Sequence, residues 1–281
     1  METENQMLKA EFSSPCKIIL TGEHAVVYGI PAIAIAAGPP ADYDEIKENN
    51  SERCVAGRTK CRVTVYENHK RERSFFRIKT SIFEVDAKTL SDLDNQDQYS
   101  EYQQMSIKVF LNSVKAGLKT ADESDSEEII KAKLQAIATR CAFSFEIDFA
   151  IPVGAGLGSS ASFNSAFGGA TFLITRQLIS SKDGKIPAEV KTTSEDIEEV
   201  KALTDFGEKL AHGNPSGIDS FIITKGGIVK FTKMDDGTVD FSDDLELPDN
   251  FNFDIVFTGV HRNTKRSLDN MLKLKESFPG K

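Results

Sequence analysis

Ten residues, Pro-Val-Gly-Ala-Gly-Leu-Gly-Ser-Ser-Ala from Pro152 to Ala161, constrain the path of this chain more than any other segment. Just before them Phe143, Phe145, Ile147 and Phe149 alternate with Ser144, Glu146 and Asp148, the period of a strand with one buried face. Just after them Ala161, Ser162, Ala166, Gly168, Gly169 and Ala170 make a run of small residues suited to a helix packed closely on its neighbours. Gly154, Gly156 and Gly158 let the backbone turn without a Cβ and present successive N–H groups, and the first helical turn adds about half a positive charge. An anion suits such a place. So does a plain turn between strand and helix, and the loop alone does not choose.

The rest of the chain reads as a mixed array of strands and helices. Lys17 to Thr21 is a short β-branched run, expected to be a buried strand that ends at Gly22 and presents Glu23 and His24. Residues 39–56 turn polar and read as a surface loop, followed by strand-like alternation from Arg62 to Tyr66. Ser106 to Leu118 and Ile129 to Cys141 carry apolar residues at helical spacing around an acidic run, Ala121 to Glu128, expected to face solvent. Ser194 is placed to cap a further helix with Ile197, Val200, Leu203, Phe206 and Leu210 on its apolar face. At ~100° per residue Glu208 lies about 20° from Ile197, which predicts a half-buried carboxylate on the rim of that face. The helix should stop at Gly213, with Asn214 to Ile218 a loop, Asp219 at the start of a strand pair near 221–223 and 228–231, and a further strand (253–258) and helix from Thr264 beyond.

Composition narrows the class. With 281 residues, 40% of them hydrophobic, the chain can bury a large core. A net charge of −9 without a basic arm argues against nucleic acid or an anionic membrane as partner. Apolar stretches such as 30–38 are far shorter than the roughly 18 residues of a spanning helix. Cys16, Cys54, Cys61 and Cys141 contain no Cys-x-x-Cys pair, so reduced thiols and a cytoplasmic location are expected. The four histidines show no metal-ligand spacing, and the glycine loop lacks the Lys of a P-loop and the Gly-x-Ser-x-Gly of a serine hydrolase.

Two further segments match a known pattern. Ser14 to Gly29 reads Ser-Pro-Cys-Lys-Ile-Ile-Leu-Thr-Gly-Glu-His-Ala-Val-Val-Tyr-Gly, and Phe206 to Asp219 reads Phe-Gly-Glu-Lys-Leu-Ala-His-Gly-Asn-Pro-Ser-Gly-Ile-Asp. With the glycine loop, and in this order, they resemble the GHMP kinases, the superfamily of galactokinase, homoserine, mevalonate and phosphomevalonate kinases. The Ala25-Val26-Val27 continuation and the His212 to Asp219 segment are nearest to its mevalonate branch. The resemblance implies an α+β fold, an N-terminal ribosomal-protein-S5-like α/β domain over residues 1–247, in which 39–56 look inserted. Residues 248–281 are then expected to begin a truncated ferredoxin-like C-terminal domain, whose glycine-rich motif this sequence does not contain.

What the resemblance implies about chemistry is specific. Transfer of a γ-phosphoryl group needs a phosphate cradle, a divalent cation on oxygen ligands and a group that handles the acceptor hydroxyl proton. The matched positions make Gly154, Ala155, Gly156, Leu157, Gly158, Ser159 and Ser160 the ATP loop, and Ser160 with Glu208 the Mg²⁺ ligands. Asp219 becomes the base and Lys17 its cationic neighbour, while Glu23, His24 and Thr264 fall on the acceptor side. Cys16 stands where the family has Gly, with an added sulfur expected to crowd the nucleotide approach. A homodimer and prenyl diphosphate inhibitors at the ATP site are implied as well. Three outcomes stay open: phosphorylation of mevalonate, of another small alcohol such as galactose or homoserine, or a catalytically weak kinase-like protein that binds nucleotide or dimerises.

Overall fold

The computed structural model describes residues 6–23, 25–38, 57–149, 153–180, 192–213, 215–234, 236, 238–243, 245, 246, 248, 255, 256, 273 and 277. The expected inserted loop 39–56, Cys54, His24, Thr264 and nearly all of 248–281 lie outside them. Among the described residues two sheets form. The first contains, in spatial order, β1 (Gln6–Ser14), β4 (Thr59–Glu67), β7 (Cys141–Asp148), β5 (Phe76–Lys79) and β6 (Glu84–Ala87). Only β5 and β7 run parallel; every other neighbouring pair is antiparallel. The second sheet is antiparallel throughout, in the order β2 (Cys16–Thr21), β3 (Ala32–Ala37), β8 (Ile228–Lys233), β9 (Val239–Ser242).

Among the described residues five α-helices cover these sheets: α1 (Glu101–Ala121), α2 (Glu127–Arg140), α3 (Ser159–Ser180), α4 (Ser194–His212) and α5 (Ile218–Lys225). The small-residue segment does become the central helix. α3 is buried without interruption from Ala161 to Thr175, which its lack of bulk permits. Its start, at Ala161, packs in the cluster of the second sheet with Ala32, Ala34, Ile222 and Phe231. Its middle joins the aromatic core of the first sheet, where Phe167 meets Phe145 edge to face with centroids 5.0 Å apart. Its later turns place Phe172 and Leu173 against Val200 and Leu203 of α4. α3 therefore belongs to both cores, and the glycine loop at its N-terminus sits where they meet.

Several expectations need correction. Ile218 to Lys225 is a helix, not a strand. β-branched Ile and Thr favour strands locally, but Gly217 and Gly226 bound a segment in which Ile218, Phe221 and Ile222 at helical spacing are all buried. Burial on several sides outweighs a weak local preference. The cap of α4 is Thr193 rather than Ser194: Thr193 Oγ1 accepts from the Asp196 N–H at 3.2 Å, and Asp196 Oδ2 accepts from the Thr193 N–H at 2.8 Å. Asp196 also pairs with Arg176 of α3, with Nη2 to Oδ2 at 3.0 Å. The helix expected to reach Cys141 stops at Arg140, and Cys141 opens β7. In the acidic run Asp125 is not solvated; its side chain is 7% exposed and pairs with Lys133.

The buried face of α4 is also rotated from expectation. Ile197 and Leu210 are exposed, whereas Asp196, Val200, Leu203, Thr204, Gly207 and Glu208 face inward. Because α4 holds Glu208 in place, its cap bears on the site. Thr193→Ala is expected to destabilise the protein by about 1 kcal/mol. That loss lowers Tm by about 2–4 °C in a thermal melt.

Candidate active site

The glycine loop closes onto strand β2. Gly154, Gly156 and Gly158 all take left-handed backbone angles, φ 77°, 82° and 72°, a region that side chains with a Cβ rarely adopt. The Lys17 N–H donates to the Leu157 carbonyl at 2.9 Å, tying the loop to β2. The Lys17 stem then covers Gly158, where a Cβ would lie 2.6 Å from Lys17 Cγ. The first helical bond of α3 runs from the Ser162 N–H to the Gly158 carbonyl at 2.9 Å. The N–H groups of Ser159, Ser160 and Ala161 thus lie ahead of the helical bonding pattern, where an anion can accept from them.

Lys17 is 5% exposed, and its Nζ lies 2.9 Å from Asp219 Oδ1. Asp219 occupies the first turn of α5, after Gly217 in the left-handed region, and it is half-buried. Ser220 beside it donates to Asp205 of α4, which fixes the start of the short helix. A strand and a helix brought together from opposite ends of the sequence thereby place an ammonium and a carboxylate in contact.

Beside this pair lies a second polar cluster. Ser160 Oγ donates to Glu208 Oε1, and Asn164, one turn further along α3, donates from Nδ2 to the same oxygen at 3.1 Å. Glu208 is 2% exposed, so the expected rim position is wrong. Burial pushes its carboxyl up to about 7, with the charge of Asp219 adding to the rise; the Ser160 and Asn164 hydrogen bonds and the charge of Lys17 oppose it. His212 Nε2 stands 3.5 Å from Ser160 Oγ and 3.7 Å from Glu208 Oε2. Burial lowers its pKa, so the imidazole is neutral at pH 7 despite Asp219 nearby.

The Ser160 hydroxyl and Glu208 carboxylate fit Mg²⁺. Both are hard oxygen donors, and among the described residues there is no group of three or more His, Cys, Asp or Glu side chains that could hold a metal. Two protein ligands suit an ion that completes its shell with waters and substrate phosphates instead of a full protein cage. Of the residues expected on the acceptor side, Glu23 follows Gly22 in the turn after β2 and is half-buried, while His24 and Thr264 fall outside the described residues. Cys16 does not crowd the loop: its thiol donates to the Ala37 carbonyl at 3.0 Å, because adjacent strand residues project to opposite faces. Asn164 escapes sequence reasoning, and Gly207 and His212, though inside the Phe206 to Asp219 motif, are given no role by it. The signal for Asn164 is a polar side chain four residues after Ser160, in a helix otherwise built for burial.

Residues 126–227, from the N-cap of α2 through the loop to the end of α5, match the family model described as the GHMP kinases N terminal domain. Over these residues the chain is similar to that family. Mevalonate kinase of Schizosaccharomyces pombe is 25% identical over 277 residues, covering 95% of this chain and 61% of that relative. The structure of L. major mevalonate kinase in complex with R-mevalonate aligns with a TM-score of 0.52 at 18% identity, covering 99% of this chain and 64% of that one. Lactococcus lactis galactokinase complexed with galactose aligns at 0.50 and 17% identity, covering 96% and 56%. The chain spans about three fifths of the length of the first relatives it matches. The two structural likenesses establish the GHMP kinase fold and, being nearly equal, do not select an acceptor. The matched segment contains the loop, Ser160, Glu208 and Asp219, and Lys17 joins them from β2. Among the described residues no helix is long and apolar enough to cross a membrane.

Proposed function

We propose that this chain is a mevalonate kinase, transferring the γ-phosphoryl group of ATP to the 5-hydroxyl of mevalonate to give 5-phosphomevalonate for isoprenoid and sterol synthesis. The observation that carries the reading is the 2.9 Å contact between Lys17 and Asp219 beside the Ser160 and Glu208 oxygens, at the mouth of a glycine loop. The choice of mevalonate rests on the sequence relative that bears that name and on Ala25-Val26-Val27.

The division of labour follows from charge and reach. The loop N–H groups and the start of α3 hold the phosphates, and the Lys17 ammonium neutralises negative charge that grows on the transferred group. Asp219 accepts the proton of the acceptor hydroxyl as the new O–P bond forms and the bond to the ADP oxygen breaks. Ser160 and Glu208 would hold Mg²⁺, which supplies charge neutralisation at the phosphates when bound. Glu23 and the residues at 24 and 264 are assigned to mevalonate. Residues 1–247 are read as the catalytic N-terminal domain and 248–281 as the start of the second. The same reading extends to a cytoplasmic homodimer that prenyl diphosphates inhibit at the ATP site.

The direct test is ADP release by the purified chain with Mg²⁺-ATP and mevalonate, galactose or homoserine in parallel. Turnover with mevalonate alone is the expected result. Turnover with galactose or homoserine overturns the substrate, and a folded protein that binds ATP without turning over any acceptor overturns the activity.

A further inference from the structure

Glu208 has two oxygens in unequal settings. Oε1 accepts from both Ser160 Oγ and Asn164 Nδ2, whereas among the described residues Oε2 has only His212 Nε2 at 3.7 Å, too far for a hydrogen bond. Asn164 is fully buried, and its Oδ1 finds no hydrogen-bond partner. The nitrogen must face the carboxylate, since an amide oxygen there would oppose another acceptor. The amide is thus kept out of water for a single donated bond, the one to Glu208. It reaches Glu208 only because Gly207, on the facing turn of α4, lacks a Cβ; one added there would lie 2.3 Å from Asn164 Cγ. Two helices are shaped around this one contact.

We propose that Asn164 is a positioning residue for the cation site: by occupying Oε1 it turns Oε2 of Glu208 outward as the oxygen that binds the divalent ion, with Gly207 providing the space. The proposal rests on the reading of Ser160 and Glu208 as the ion's ligands. In that arrangement the Ser160 hydroxyl gives its hydrogen to Oε1 and keeps its lone pairs for the ion, so each ligand would offer it an oxygen. A buried partner that orients a ligand in this way is worth about 10- to 100-fold in metal affinity.

Mn²⁺ is the ion to use, titrated into the full chain saturated with ADP and followed by electron paramagnetic resonance, with ADP binding measured separately in EDTA. Asn164→Leu keeps the branched shape without the donor and is expected to weaken Mn²⁺ binding by about 10- to 100-fold, leaving metal-free ADP binding unchanged. Gly207→Ala should cause the same loss with Asn164 still present, by displacing the amide. The double variant Asn164→Ala/Gly207→Ala relieves the clash and should recover the thermal midpoint that Gly207→Ala loses, without recovering Mn²⁺ affinity. Equal weakening of Mn²⁺ and metal-free ADP binding, or Mn²⁺ affinity restored in the double variant, overturns the positioning role. Glu208→Gln separates this from the underlying reading. If it leaves Mn²⁺ binding intact, the ligand assignment fails and takes the inference with it. If it weakens binding while neither Asn164→Leu nor Gly207→Ala does, the inference alone fails.

Discussion

Asp219→Asn is expected to lower the rate of phosphoryl transfer by about 10²- to 10⁴-fold while nucleotide affinity stays near that of the parent protein. The amide keeps an oxygen within reach of Lys17 Nζ, so the 2.9 Å contact survives as a hydrogen bond and the fold loses little. What disappears is the capacity to take a proton from the acceptor hydroxyl. The signature is a fall in kcat and kcat/KM together with an unchanged Kd for a fluorescent ATP analogue. An Asp219→Asn protein that turns over at the parental rate would remove Asp219 from the base role.

Lys17→Met is expected to cost about 10²- to 10³-fold in kcat for a different reason. Methionine preserves most of the stem that packs over Gly158, so the glycine loop keeps its cover, but the buried cation is gone. Charge that develops on the transferred phosphoryl group then has no ammonium to meet it, and nucleotide binding weakens as well. Because Lys17 and Asp219 touch, the two substitutions should not add: the double variant is expected to lose much less than the product of the single losses. A four-member cycle of kcat values measures this. Strictly multiplicative losses would mean that the two side chains act independently, against the contact.

The site was legible in the sequence to the extent that it is local. Strand, glycine turn and small-residue helix follow one another within forty residues, and the three left-handed glycines stand where the spacing called for them. The three motifs in their chain order resemble a known family, that resemblance points to Lys17, Ser160, Glu208 and Asp219, and the structure places Lys17 against Asp219 and Ser160 against Glu208. A left-handed turn demands glycine and so leaves its mark in residue type, whereas the four side chains are singled out by the resemblance of their motifs to a known family.

What the tertiary structure decided is everything that depends on burial. Helical periodicity put Glu208 on a half-exposed rim, but the packing of α4 on α3 rotates it fully inside and sends Ile197 and Leu210 outward. Local β-branching suggested a strand at Ile222, yet enclosure between the second sheet and the start of α3 makes it a helix, and that helix turns Asp219 toward Lys17. Asn164 and Gly207 are 43 residues apart and no spacing links them, so only the close approach of two helices shows that one needs the other. Residue type and local spacing thus determined the strand, the glycine turn and the helix after it, and the resemblance of three motifs to a known family pointed to the groups to test; the contacts between elements distant in sequence determined where their charges sit and which atoms face one another, because desolvation and crossing distance are properties of the packed whole.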